Sequence, residues 1–207
     1  VTALPGNISN SNLDAFDESY YEKLGLKKQK FVLFSGAPAL TRGSILAMKA
    51  FDKAADRLPD TKMVMLMRRD VSSDFTAFDK AVSEIKNKDR FIISYDRVSP
   101  NQLFYFFKKA WVAMLPFLVV PSEIPLTYFE VMQWGIPILT FENGGTTDYL
   151  RKGLKIAKHR TVSSLAEAIV EICKNTEERN RLSNNAKEIM SNHPSWNETS
   201  KKWLSVL

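Results

Sequence analysis

Short apolar or β-branched runs alternate with longer helical patterns along most of this 207-residue chain, and that alternation constrains the fold more than any other feature. The runs are residues 30–34 (KFVLF), 63–67 (MVMLM), 91–94 (FIIS), 111–115 (WVAML), 137–140 (PILT) and 154–157 (LKIA). Between them lie helical patterns at 44–57, 75–86, 100–110, 126–134, 163–174 and 177–192. Strands that alternate with helices pair in parallel, and the helices cover the sheet. Short connections and right-handed crossovers then leave an α/β, Rossmann-like, doubly wound parallel sheet of about six strands. The expected organisation is one domain over residues 1–207, with an irregular opening through Gly25 and no internal repeat.

Composition narrows the function. The chain is 44% hydrophobic and 25% charged, with 8 Gly and 9 Pro, as in ordinary globular proteins. Its one cysteine, Cys173, excludes an internal disulfide framework and fits a reducing, cytoplasmic setting. Cys173 lies at helical spacing among Ile169 and Ile172, which reads as a core position. No apolar run reaches the roughly 20 residues of a membrane span, and the N-terminus lacks the regions of a signal peptide. The chain begins at Val1, which points to a fragment or a processed chain. A net charge of +6 attracts anions, but the basic residues are dispersed, so nucleic acid is not an expected partner. Anionic small molecules fit that charge, and peripheral contact with the inner face of a membrane stays open.

In an open α/β sheet, ligands sit beyond the carboxyl ends of the strands, near the point where strand order reverses. Every polar motif of this chain falls at such an end. The loop GAPALTRG, from Gly36 onward, follows the first strand; Gly36 permits a tight turn and Arg42 can clamp a diphosphate with its planar fork. It has neither the Gly-Lys-Ser/Thr of a P-loop nor a dinucleotide G-x-G-x-x-G, so ATPase and NAD-dependent readings weaken. Arg68 and Arg69 follow the second strand, and Asp96 and Arg97 the third. Residues 121–135, PSEIPLTYFEVMQWG, place Glu123 and Glu130 around a helix start, where carboxylates accept from sugar or ribose hydroxyls while free N–H groups face phosphate. A helix running back to Glu123 would put residues 123, 127 and 130 on one face. Gly144 and Gly145, after Asn143, let backbone approach a ligand ahead of a capped helix at Thr146 and Thr147.

Other candidates read as structure. The aromatic stretch 103–111 (LFYFFKKAW) resembles a membrane anchor, yet its spacing turns Leu103, Phe106 or Phe107, and Ala110 inward. The apolar segment 117–121 (FLVVP) sits where the crevice should be and reads as a lid or a contact with a partner domain. His159 and His193 fall in no nucleophile or metal pattern, and no Asp-x-Asp sequence is present to carry a metal-bound diphosphate.

Taken together, these segments resemble the C-terminal, donor-binding domain of GT-B glycosyltransferases, family 4, also called glycosyl transferases group 1. The opening 1–16 resembles the family's entry to that domain. The family's Gly-Arg loop ending in Lys-Gly corresponds to Gly36-Ala37 and Arg42-Gly43, so Arg42 keeps the lysine's charge while Ala37 stands where the arginine belongs. Arg68, Arg69 or Arg97 are the neighbouring charges that could compensate. Glu130, followed by VMQWG, matches the second of the family's paired glutamates, the ribose contact; Glu123 matches the first, the sugar contact, with six rather than seven residues between them. Leu126 and Thr127 match the segment that meets the donor, and Gly144-Gly145 the later glycine loop, with Asp148 for the usual glutamate. The closing PSWNETSKKWL resembles the helix that crosses back to the partner domain.

The resemblance implies a glycosyltransferase of the hexosyltransferase class that moves sugar from a nucleoside diphosphate sugar to an acceptor, with retention, without metal and without a cofactor. Glu123 and Arg42 would serve catalysis; Gly36, Arg42, Leu126, Thr127, Glu130, Gly144 and Gly145 would bind the donor. Partners would be the nucleotide sugar, an acceptor and an N-terminal domain absent from this chain, without which the chain would be inactive. The alternatives are a non-catalytic, degenerate nucleotide-sugar-binding or interaction module and, less naturally, a nucleotide-sugar epimerase.

Overall fold

A computed structural model describes residues 17–68, 75–120 and 123–205. The opening 1–16, Arg69, and Pro121 and Ser122 of the glutamate segment lie outside the described residues. Six strands, β1 (Lys30–Gly36), β2 (Thr61–Met67), β3 (Phe91–Ser94), β4 (Val112–Met114), β5 (Ile138–Thr140) and β6 (Leu154–Ile156), form one sheet in the order β3-β2-β1-β4-β5-β6. All five pairings are parallel. The chain winds outward from β1 through β2 to β3, then returns to the other side of β1 at β4. The strand order therefore reverses between β1 and β4, as in a doubly wound sheet.

Nine α-helices accompany these strands among the described residues: α1 (Ser19–Lys23), α2 (Ser44–Ala54), α3 (Thr76–Ser83), α4 (Pro100–Lys109), α5 (Leu126–Met132), α6 (Gly145–Leu150), α7 (Val162–Lys174), α8 (Thr176–Asn192) and α9 (Trp196–Leu204). The starts of α4, α7, α8 and α9 follow from local chemistry. Ser99 and Gln102 close a capping box on α4, with Pro100 in its first turn, and Ser195 and Glu198 do the same for α9. Thr161 and Asn175 cap α7 and α8 through their side-chain oxygens.

Alternate residues of each strand serve opposite faces. Val32, Phe34, Met63 and Met65 pack with α2, α3 and α7 in one core cluster. Phe31, Leu33, Val64 and Leu66 pack with α1, α4 and α5 in the other. Burial on both faces is why these strands read as continuous apolar runs rather than as alternating ones. Cys173 is buried in the first cluster, as its spacing suggests, and burial pushes its thiol up to about 12. A thiol held protonated is a poor nucleophile. The folded protein should therefore leave Cys173 unmodified by an aromatic disulfide reagent at pH 8, with one thiol titrating only in denaturant.

The opening is not irregular through Gly25. Residues 19–23 form α1, whose Tyr21 ring meets Phe106 and Tyr105 of α4 edge-on, with centroids 5.5 and 5.1 Å apart. The helix is too short to be stable by itself; aromatic packing holds it. Phe106, Phe107 and Ala110 are buried as the spacing of 103–111 suggests, and Lys108 and Lys109 are exposed. Leu103 and Tyr105 are half-buried, and the Tyr105 hydroxyl donates to the Glu18 carboxylate at 2.7 Å. This helix is a core element. No described helix is long and apolar enough to cross a membrane.

Candidate functional site

Two loops close over the carboxyl ends of β1 and β4. After β1, a single 3-10 turn (Leu40–Arg42) leads into Gly43, whose left-handed φ of 70° starts α2. A Cβ at Gly43 would lie 2.2 Å from the carbonyl oxygen of Pro116 in the loop after β4. That approach allows the Thr41 carbonyl to accept from the N–H groups of Leu118 and Val119, at 2.8 and 3.3 Å. The Arg42 guanidinium lies 5.5 Å from the centroid of Phe117 in the same loop. Phe117 is buried, while Val119 is 56% exposed.

A second set of bonds ties the β4 loop to the β5 loop. The Asn143 side-chain amide donates to the carbonyls of Phe117 and Phe141, at 3.1 and 3.2 Å. Arg160 donates to the Leu118 carbonyl at 2.9 Å and to the Glu142 carbonyl. Beneath them the Thr140 hydroxyl donates to the Leu115 carbonyl at 2.8 Å and lies 2.7 Å from the Tyr128 hydroxyl. Arg160, in the loop after β6, escaped sequence reasoning because that loop carries no recognisable motif; its role arises only when three loops meet.

A cavity of about 720 Å³ opens beside this clasp, at the carboxyl ends of β1, β2 and β3. Gly36, Ala37 and Arg42 form its β1 wall, Arg68 its β2 wall, Asp96 and Arg97 its β3 wall, and Thr127 and Glu130 project from α5. The structure thus gathers four of the expected site residues, Gly36, Arg42, Thr127 and Glu130. Gly36 has φ of 149°, and a Cβ there would press on the Arg42 side chain at 3.3 Å, so its lack of a side chain makes room for that arginine. Asp96 accepts from Tyr20 at 3.0 Å and pairs with Lys23 at 3.4 Å. These two α1 residues were invisible in a segment read as irregular.

Other expected residues stand elsewhere. The helix does not reach back to Glu123: Pro125 precedes α5 in an extended conformation and Glu123 lies on an exposed bend, so the face shared by residues 123, 127 and 130 does not form. Glu123 is instead tied to the glycine loop, its carbonyl accepting from the Thr146 hydroxyl. Gly144, with φ of 50°, starts α6, and neither it nor Gly145 has an atom within 4 Å of where a Cβ would be. Leu126 is 49% exposed at the start of α5. The site therefore has two parts: a cationic cavity at β1–β3, and an open portion around Glu123, Gly144 and Gly145.

Glu130 carries the clearest electrostatic signature of the cavity. Burial raises its pKa above the ordinary 4.5, and Arg42 opposes that rise. The native state therefore binds its proton more tightly than the unfolded chain. That contribution is fully present below the ordinary carboxylate value and is lost as pH rises through the folded one. At neutral pH the bare carboxylate costs stability, so Glu130→Gln should raise the Tm of ligand-free protein at pH 7. The difference should shrink on acidification toward pH 4.5, where wild type recovers its proton. Equal Tm values at both pH values would contradict this.

Among the described residues, no group of three or more His, Cys, Asp or Glu could hold a metal ion. His193 is buried, stacked on Phe129 at 4.3 Å with Nδ1 2.9 Å from the Tyr149 hydroxyl.

A model of the family "Glycosyl transferases group 1" matches residues 16–189. The chain belongs to this family. Its sheet and helical layers match those of GT-B glycosyltransferases. The group 1 chain is 21% identical over 196 residues to spore coat protein SA of Bacillus subtilis (strain 168), covering 91% of this chain and 51% of that protein. Among solved structures it is similar to a glycosyltransferase from Rickettsia africae ESF-5, with TM-score 0.75 and 16% identity over 97% of this chain and 52% of that one. An α,α-trehalose 6-phosphate synthase from Burkholderia multivorans gives TM-score 0.77 and 13% identity over 91% of this chain and 44% of the other. The group 1 chain spans about half the length of these relatives.

Proposed function

We propose that this chain is the donor-binding half of a retaining, metal-independent hexosyltransferase that takes sugar from a nucleoside diphosphate sugar. The observation that carries this reading is the meeting of Arg42, Thr127 and Glu130 in one cavity at the strand ends, beside the point where strand order reverses. Arg42 would donate to the diphosphate, with backbone N–H groups of the first α5 turn near Leu126 and Thr127 beside it. The Glu130 carboxylate would accept from ribose hydroxyls. Glu123 and the glycine pair, joined by the Thr146 hydroxyl, would face the sugar in the open part of the crevice. As the bond between the anomeric carbon and the diphosphate oxygen breaks, negative charge grows on the diphosphate, and the fixed guanidinium stabilises it.

The acceptor and its binding residues would belong to a second, N-terminal domain. Exposed Val119 at the crevice rim, and Trp196 and Trp203 on α9, support a surface covered in the whole protein. The isolated chain should then turn over no donor. A second reading, a degenerate binding module, draws on Ala37, which contributes no charge to the cavity wall. Calorimetric titration with UDP, GDP and ADP tests the two. Selective binding of one nucleotide, weakened by both Arg42→Ala and Glu130→Ala, supports donor binding. No binding of any, in this chain and in the full-length protein, favours the degenerate module.

A further inference from the structure

Among the described residues the cavity lining takes nothing from α1, yet α1 grips the loop that forms the β3 wall. Residues 95–98 of that loop line the cavity and have no regular secondary structure, so no sheet or helix ladder fixes their path. Tyr95 is held toward α3, its hydroxyl donating to Asp79 at 3.0 Å, while Asp96 is held toward α1. Three groups meet at the turn out of β3. The Asp96 N–H donates to the Ser94 hydroxyl oxygen at 3.1 Å, the Tyr20 hydroxyl donates to Asp96 Oδ2 at 3.0 Å, and the Tyr20 and Ser94 hydroxyls are bonded to each other. An ionised carboxylate can only accept, and a phenol has one proton to give. Tyr20 therefore spends its proton on Asp96, and Ser94 must donate to Tyr20. The result is a closed ring of three hydrogen bonds.

Ser94 is buried, and the half-buried Tyr20 packs on Phe106 with ring centroids 6.1 Å apart, so a bond left unmade there is costly. Lys23 also meets Asp96, at 3.4 Å, but the two side chains are 68% and 58% exposed, and such a pair contributes little. Tyr20 is thus the α1 residue that fixes the wall. Other bonds hold the approach to α1 on α4 without touching the cavity loop: Gln102 donates to Asp17, and Tyr105 to Glu18, each at 2.7 Å.

We propose that Tyr20 is a positioning residue for the donor cavity: it closes the ring with Ser94 and Asp96 and so holds residues 95–98 where a nucleotide meets them. The proposal rests on the donor-binding reading for its ligand, whereas the ring itself belongs to the ligand-free chain. A wall already in place spares the ligand the cost of ordering it, and that saving appears as affinity.

The test pairs hydrogen exchange in the ligand-free chain with calorimetric titration of UDP, GDP and ADP. Tyr20→Phe keeps the aromatic ring on Phe106 and removes only the hydroxyl. Exchange of the Asp96 amide and its loop neighbours should quicken while β1 and β2 stay unchanged. The preferred nucleotide should bind roughly three- to tenfold more weakly, the net worth of one hydrogen bond. Ser94→Ala opens the same ring, should do likewise, and serves if Tyr20→Phe does not fold. The double variant should bind no more weakly than the worse single one, because the ring is broken only once. Tyr105→Phe, which removes the hydroxyl bonded to Glu18, should leave both readouts as in wild type. Unchanged loop exchange in Tyr20→Phe overturns the proposal, as does quickened exchange with unchanged affinity. Additive losses in the double variant, or an equal loss in Tyr105→Phe, overturn it too. If wild type binds no nucleotide, the donor-binding reading falls, and the ring's hold on the wall stands or falls on the exchange alone.

Discussion

Replacing Gly43 by valine is expected to destabilise the protein by about 3 kcal/mol and to lower its Tm by roughly 10 °C. Two costs combine. A residue with a Cβ pays about 1–2 kcal/mol to hold the left-handed conformation that Gly43 adopts at φ of 70°. The new Cβ would also fall 2.2 Å from the Pro116 carbonyl oxygen, a backbone atom that can move only if the whole β4 loop moves. That movement would break the bonds from Leu118 and Val119 to the Thr41 carbonyl and carry Phe117 away from Arg42. Ligand affinity should therefore fall with stability. Gly145→Ala is the matching control, because Gly145 has no positive φ and open space around its missing Cβ; thermal unfolding should find it within about 1 kcal/mol of wild type. Equal losses at the two positions would show that the clasp between the β1 and β4 loops does not matter.

Arg42→Ala is expected to weaken nucleoside diphosphate binding by roughly ten- to a hundredfold, the usual cost of losing a hydrogen bond to a charged group. Glu130→Ala should reduce affinity comparably, since a ribose hydroxyl would lose its acceptor. The two variants should part company in the ligand-free protein. Burial penalises the Glu130 carboxylate at neutral pH, so removing it relieves a cost, although the lost side chain offsets part of the gain. Arg42→Ala removes the charge that opposes the rise in the Glu130 pKa, so the carboxylate there becomes harder to ionise. Affinity loss in both variants, with unfolding shifts of different sign, would mark a functional pair; parallel losses of stability and affinity would mark a structural one.

The sheet was legible because its inner strands are buried on both faces and because α4, α7, α8 and α9 carry side-chain caps. Strand β3 and the starts of β1, α2, α4 and α5 fall where the residues place them. β4 is shorter than its apolar run: Trp111 leaves the strand, its ring lying 3.9 Å under the Lys30 ammonium. Helix α1 could not be read locally, because what orders it is contact between Tyr21 and a helix about 80 residues later. Arg42, in the loop after β1, and Glu130, on α5, were legible as candidates, and both line the cavity. The placement of Glu123 was not, because Pro125 sets the start of α5 and the bend before it depends on Thr146 from α6. Arg68 and Arg97 were legible as neighbouring strand-end charges, and the order β3-β2-β1 brings both to the cavity that Arg42 lines.

The most direct measurement is a crystal structure of this chain with the nucleoside diphosphate that binds it. The expected result has the diphosphate against Arg42 and a ribose hydroxyl oxygen within about 2.6–3.2 Å of the Glu130 carboxylate, inside the cavity at the ends of β1, β2 and β3. A nucleotide bound elsewhere, or in that cavity without contact to Arg42 and Glu130, would contradict the donor-site assignment.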